Sequence, residues 1–154
     1  KGLLAMQIKR EESAGFLVNH LARTFATALQ AGLKPLHLAP AQFMVLIELW
    51  QEGGLSQRQL IDRLTVEQAT MANTLNRMER DGLIERKPSP QDGRVQLIYP
   101  TQRALELEAE AKTRAQAINQ LALSGFTNQE RQAFFTGISR VMANLRECLD
   151  SSGK

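Results

Sequence analysis

Cysteine and aromatic rings are scarce in this chain, which has one cysteine, one tryptophan, one tyrosine and six phenylalanines in 154 residues. A lone thiol, Cys148, closes no internal disulfide, which fits a reducing compartment and predicts a cytoplasmic protein. Long apolar runs are missing too. The longest is Phe43-Met44-Val45-Leu46-Ile47, far short of the roughly 20 residues that span a bilayer, so no membrane association is expected. The first residues, Lys1-Gly2-Leu3-Leu4-Ala5-Met6, carry a single lysine and no extended apolar segment, so no secretory leader is expected. Five prolines and ten glycines are too few for a collagen-like or disordered chain. With 43% hydrophobic residues, the chain can build a globular core.

The usual marks of chemistry are also absent. His20 and His37 lie seventeen positions apart, without the paired spacing of a metal site, so no metal is expected. Glu106, Glu108 and Glu110 alternate along a helix and are spread around it rather than converging. No glycine-rich phosphate loop follows a strand, and no nucleophile sits in a motif with a base. The chain is read as a non-enzyme without a cofactor. Its net charge of +3 permits an anionic partner without requiring one. Between Leu55 and Thr101, seven basic residues face six acidic ones, so placement must decide the matter.

What is present is helical periodicity. From Glu12 to Gly32, Leu17, Leu21, Thr24 or Phe25 and Ala28 recur at helical spacing, and Gly32 and Pro35 are expected to close that helix. Pro40 opens the next helix, with Phe43, Leu46 or Ile47 and Trp50 as its buried stripe and Gly53-Gly54 as its stop. Ser56-Gln57-Arg58-Gln59 reads as a capping box over a short helix that turns Leu60 and Leu64 inward. A tight turn at Thr65-Val66 leads to a helix over Glu67 to Asp81, with Met71, Leu75 and Met78 inward and Gly82 as a left-handed cap. The period then drops to two. Leu83–Lys87 and Val95–Tyr99 are predicted strands of a hairpin whose tip is Pro88-Ser89-Pro90-Gln91-Asp92-Gly93.

Thr101 caps a long alanine-rich helix with Ala104, Glu108, Ala111, Ala115, Ile118 and Ala122 on one face, ended by Gly125. Thr127-Asn128-Gln129-Glu130 is a second capping box. It launches a last helix with Phe134, Ile138, Val141, Leu145 and Cys148 or Leu149 along one stripe. The fold class is mainly α with a small β-hairpin. Residues 37–100 form the compact module, and 1–36 and 101–154 supply flanking helices. Three long apolar stripes exceed what that module can cover, so Leu17, Leu21, Phe134, Ile138, Val141 and Leu145 are expected to pack against a second copy in a two-fold homodimer.

Two short helices around a tight turn, followed by a basic hairpin, form a winged helix-turn-helix pattern. In such a pattern the second helix enters the major groove of double-stranded DNA and presents its amino-terminal residues to base edges. Here those are Gln68, Thr70 and Asn73, then Asn76 and Arg77. Amides pair with adenine edges and arginine with guanine, although a solvated helix face would be polar as well. At the hairpin, a protruding Arg94 suits the narrow minor groove, Arg86 and Lys87 suit phosphates, and Asp92 would orient an arginine or stiffen the tip. A charged edge hairpin that resists aggregation would carry the same cations. Two other readings are a winged-helix module that binds an acidic protein, and a regulator switched through the Cys148 thiol.

The stretch from Leu55 through Ala104 resembles the winged helix-turn-helix of MarR-type transcriptional regulators. The resemblance rests on Leu64-Thr65-Val66-Glu67-Gln68-Ala69-Thr70-Met71, Arg77-Met78-Glu79-Arg80-Asp81-Gly82-Leu83-Ile84 and Asp92-Gly93-Arg94. It implies a dimeric DNA-binding regulator, usually a repressor, whose terminal helices interlock. It also implies backbone contacts from Ser56 and Gln57. A cleft for a small aromatic or lipophilic effector would draw on Phe16, His20, Phe43, Ile47 and Trp50. The chain departs from the family at Pro100-Thr101-Gln102-Arg103-Ala104, where Leu-Thr-x-x-Gly is common, and at Asn73, where a basic residue is frequent. Both departures bear on the operator sequence.

Overall fold

The computed structural model describes residues 8–153, so the leader reading of residues 1–6 lies outside it. Two compact units divide the chain, one ending at Ile118 and one beginning at Asn119. In the first, a 3-10 turn at Arg10–Glu12 precedes helix α1, Ala14–Leu33. The helix starts after the expected Glu12 because Ser13 is its cap: the Ser13 hydroxyl oxygen accepts a hydrogen bond from the Phe16 N–H at 3.3 Å. Gly32 does not end α1. A side chain there would come within 2.8 Å of Ile118 Cδ1, and the Gly32 carbonyl accepts from Arg114 Nη1 at 3.3 Å. Glycine at this position leaves room for the end of the Ile118 side chain of helix α5 (Gln102–Ala122). The chain leaves the helix through a 3-10 turn at Lys34–Leu36 and a left-handed His37.

Helix α2, Pro40–Gln51, opens on Pro40 as expected and ends at Gln51, before the glycine pair. Its buried face holds Phe43, Val45, Leu46 and Leu49, and is wider than the sequence stripe. Ile47 and Trp50 are half-buried, and the Trp50 indole N–H donates to the Ala104 carbonyl of α5 at 3.0 Å. A two-residue strand β1 (Leu55–Ser56) leads into α3 (Gln57–Leu64). The capping box forms as read: Ser56 Oγ accepts from the Gln59 N–H, and Gln59 Oε1 accepts from the Ser56 N–H. Thr65 then takes a left-handed conformation, φ 52°, which reverses the chain into α4.

Helix α4, Gln68–Arg80, is rich in poor helix formers. Thr70, Asn73, Thr74 and Asn76 each cost up to about 0.7 kcal/mol relative to alanine, roughly 2 to 3 kcal/mol in sum. Met71, Leu75 and Met78, all at most 1% exposed, contribute about 1.5 to 3 kcal/mol each by burial, so packing decides the conformation. Gly82, at φ 72°, closes the helix, and the Leu83 N–H donates to the Met78 carbonyl at 2.8 Å. Leu83 therefore belongs to the helix cap. The strands start one residue later than the hairpin period predicts, as β2 (Ile84–Pro88) and β3 (Gln96–Pro100). At the other end, the Val95 N–H is taken by the Asp92 carbonyl within the turn. The hairpin is widened to an antiparallel sheet in the order β1-β3-β2, with Leu55 opposite Ile98 and Arg86 opposite Ile98 on the other side. Sequence reading missed β1, which is too short to show a period. Ala104 and Ala111 of α5 are fully covered by this core.

In the second unit the capping box at Thr127 forms, with Thr127 Oγ1 accepting from the Glu130 N–H at 3.1 Å. It starts α6, Asn128–Ser152. Phe126, Phe134 and Phe135 meet edge to face near its beginning. Beyond them, Ile138, Val141, Met142, Leu145 and Leu149 are exposed along α6.

Candidate nucleic-acid interface

While Met71, Leu75 and Met78 hold α4 against the core, Gln68, Thr70, Asn73, Asn76 and Arg77 are exposed. The helix thus shows outward three amides, a hydroxyl and the Arg77 guanidinium, all groups that can bond base edges, with Glu79 and Arg80 also exposed at its end. Thr70 also lines an apolar hollow of about 150 Å³ with Met44, Val45, Leu64, Val66 and Met71.

Arg94 stands at the wing tip with its side chain 92% exposed. Its conformation is held by Asp92, whose Oδ1 accepts from the Arg94 backbone N–H at 3.1 Å and from Nε at 3.2 Å, while Oδ2 accepts from Nη2 at 3.4 Å. These donors, first the guanidinium and then the backbone N–H, hold the Asp92 carboxyl below the usual carboxylate range. The acid beside the wing arginine thereby orients that arginine at the tip.

The other wing cations are less free. Lys87 pairs with Glu85 at 3.1 Å and lies 5.1 Å from the centre of the Tyr99 ring. Arg86 turns toward α4, where its Nη2 donates to Asn76 Oδ1 at 3.0 Å. Its Nε lies 3.7 Å from a Glu79 carboxylate oxygen. Ser56 caps α3 and Gln57 begins it, and both are half-buried; the Ser56 oxygen serves as the helix cap and its O–H remains a donor.

Sequence reading missed the corner that joins α4 to the wing. The buried Gln42 donates from Nε2 to Asp81 Oδ2 at 3.1 Å while its Oε1 accepts from the Ala39 N–H. Arg103 Nη1 donates to the Asp81 carbonyl and Thr101 Oγ1 to the Gly82 carbonyl, both at 2.6 Å. Hydrogen bonds from Gln42 and then Arg80 lower the Asp81 pKa below its ordinary value. Gln42 and Asp81 are 39 residues apart, so no local pattern pairs them.

The five residues proposed for an effector cleft fall into two pairs and one neighbour. Phe43 and Trp50 meet edge-on at 6.0 Å, with Ile47 half-buried on the same helix. Phe16 and His20 stack at 6.3 Å on the exposed side of α1. Cys148 is exposed on α6. Among the described residues no three His, Cys, Asp or Glu side chains gather as metal ligands, and no helix is long and apolar enough to cross a membrane.

A short helix, a turn, an exposed polar helix and an arginine-tipped wing define a winged helix-turn-helix protein. Comparison with known proteins narrows the class. The chain matches the sequence profile of the MarR family over residues 38–95. It is 30% identical over 104 residues to the organic hydroperoxide resistance transcriptional regulator of Bacillus subtilis, covering 68% of this chain and 71% of that one. A MarR-family regulator from Listeria monocytogenes, solved in complex with 26mer DNA, superimposes with a TM-score of 0.82 at 24% identity, over 88% of this chain and 91% of that one. The PcaV regulator of Streptomyces coelicolor, solved with its natural ligand, gives a TM-score of 0.77 at 26% identity, over 89% and 96%. The chain belongs to the MarR family of transcriptional regulators, which are DNA-binding proteins and not enzymes.

Proposed function

We propose that this regulator acts as a homodimer that represses transcription from a pseudo-palindromic operator, with half-sites about one helical turn, roughly 10 to 10.5 base pairs, apart. The observation that carries the reading is the division of α4: three side chains at most 1% exposed on one face, and Gln68, Thr70, Asn73, Asn76 and Arg77 exposed to meet bases. Arg94 enters the minor groove from the wing, oriented by Asp92, and Lys87, Ser56 and Gln57 contact the backbone. Residues 37–100 are the DNA-binding lobe, and the helices on either side form the dimer. Exposed Leu17 and Leu21 on α1, and Ile138, Val141 and Leu145 on α6, support that assembly. They are apolar surface that a second copy would remove from water, and half-buried Phe134 joins them.

Release by a small aromatic or lipophilic effector completes the proposal. It is supported by the exposed Phe16–His20 stack and by the similarity to PcaV, solved with its natural ligand. An effector can shift DNA affinity only by its differential affinity for the two states of the dimer. Selection of bound duplexes from random DNA at fixed salt, repeated with benzoate, tests the whole reading. Recovery of a two-fold symmetric motif supports it; salt-sensitive binding without sequence preference would favour a protein-interaction module instead.

A further inference from the structure

We propose that Arg86 is a positioning residue for sequence readout and not a phosphate contact: it clamps the wing to α4 and holds the Asn76 amide with its Nδ2–H2 group free. The inference rests on the reading of α4 as the helix that meets DNA, and it replaces the backbone role that the hairpin's composition suggests for this arginine. In β2, residues alternate between faces, so Arg86 shares a side with the buried Ile84. Its side chain is 27% exposed, against 60% for Lys87 and 92% for Arg94. Its Nε is buried without a hydrogen-bond partner, and the nearby Glu79 carboxylate offsets its charge. A cation already covered and compensated has little left to exchange for the counterions of a phosphate.

The consequence falls on Asn76. A free asparagine reads adenine with both ends of its amide, accepting from the base N6–H2 and donating to N7. Here Oδ1 accepts from Arg86 Nη2, so the amide cannot turn over without losing that bond, and the donor end is presented outward. A fixed donor favours base edges that carry acceptors, namely guanine N7 and O6, adenine N7 or thymine O4. It disfavours the N4–H2 of cytosine. Arg86 thereby sets which bases α4 accepts, although it touches none of them.

The test uses the full chain and a duplex selected by wild type from a random library. Wild type, R86K, R86A and N76A are measured against that duplex, its single-base variants and unselected duplex, across a salt series. Lysine keeps the charge a phosphate needs but cannot bridge Asn76 and Glu79 as a guanidinium does. Both Arg86 variants are expected to lose about tenfold on the selected duplex, the scale of one specific base contact. They should lose discrimination at the base pair that N76A relaxes, with the wild-type salt slope and wild-type affinity for unselected DNA retained. That retention also reports a folded wing. R86A added to N76A should change nothing further. The proposal is overturned if R86K matches wild type while R86A lowers the slope by about one per protomer, or if R86A leaves discrimination intact. A wild type that selects no sequence overturns the reading of α4 itself, a failure visible before any variant is compared.

Discussion

Replacing Arg94 by alanine removes one exposed cation from the wing, and the structure allows the effect on DNA to be worked out. The side-chain hydrogen bonds of Arg94 run to Asp92 alone among the described residues, so the fold should change in stability by no more than about 0.5 kcal/mol. In the proposed homodimer the substitution removes two cations, and each ion contact contributes about 0.9 to the slope of log affinity against log salt, so the slope should fall by about 1.8. Across the fourfold range from about 50 to 200 mM salt, that difference amounts to about twelvefold. The variant should therefore show its largest deficit at low salt, and the gap should close by about that factor as salt rises. Fluorescence anisotropy on a selected duplex measures it. Asn73→Ala serves as the contrast, changing base preference while leaving the slope in place. Parallel salt lines for wild type and Arg94→Ala would refute the reasoning, because the wing arginine would then meet no part of the nucleic acid's ionic surface.

Ile138→Asp combined with Leu145→Asp should yield folded monomers without operator binding, seen by sedimentation; an active monomer would remove the dimer from the mechanism. Leu75→Ala should cost about 2 to 5 kcal/mol in urea unfolding, because the residue is fully buried under α4. Asp81 is stabilised in its ionised form, so its contribution is complete above the ordinary carboxyl value of 3.8 and disappears as pH falls through the lower folded value. Asp81→Asn should accordingly be destabilised by a constant amount between about pH 5 and 8, with the gap to wild type closing below about pH 4. A gap that stays constant in acid would show that Asp81 acts through shape and not charge.

What could be read before the structure was local. Ser56 with Gln59 and Thr127 with Glu130 announce their helices because the bonded partners lie three residues apart. The inward residues of α4 follow from helical spacing, since one face had to be apolar. Gly32 misled because a glycine within a helix has two uses, ending it or admitting a neighbour, and only the position of Ile118 distinguishes them. The two residues of β1 offer no alternation to detect. Arg86 did leave a trace: alternation with Ile84 places it on the inner side of its strand, but the cations around it drew attention to charge instead of direction. Its bond to Asn76 and the Gln42–Asp81 bond join segments that meet only after folding. Which residues of α4 turn inward and which stay exposed was thus legible residue by residue, whereas the restraints on the exposed side chains were not.

The corner at Asp81 and Gly82 has a mechanical consequence. One helix ends there and a strand departs, yet the backbone carbonyls of both residues are gripped from the start of α5 by Arg103 and Thr101, and the Asp81 side chain from α2 by Gln42. A rivet of this kind ties the end of α4 to the first turn of α5. With α4 as the proposed DNA-reading helix, a tilt of the first turn of α5 would swing that helix as though the two were one lever.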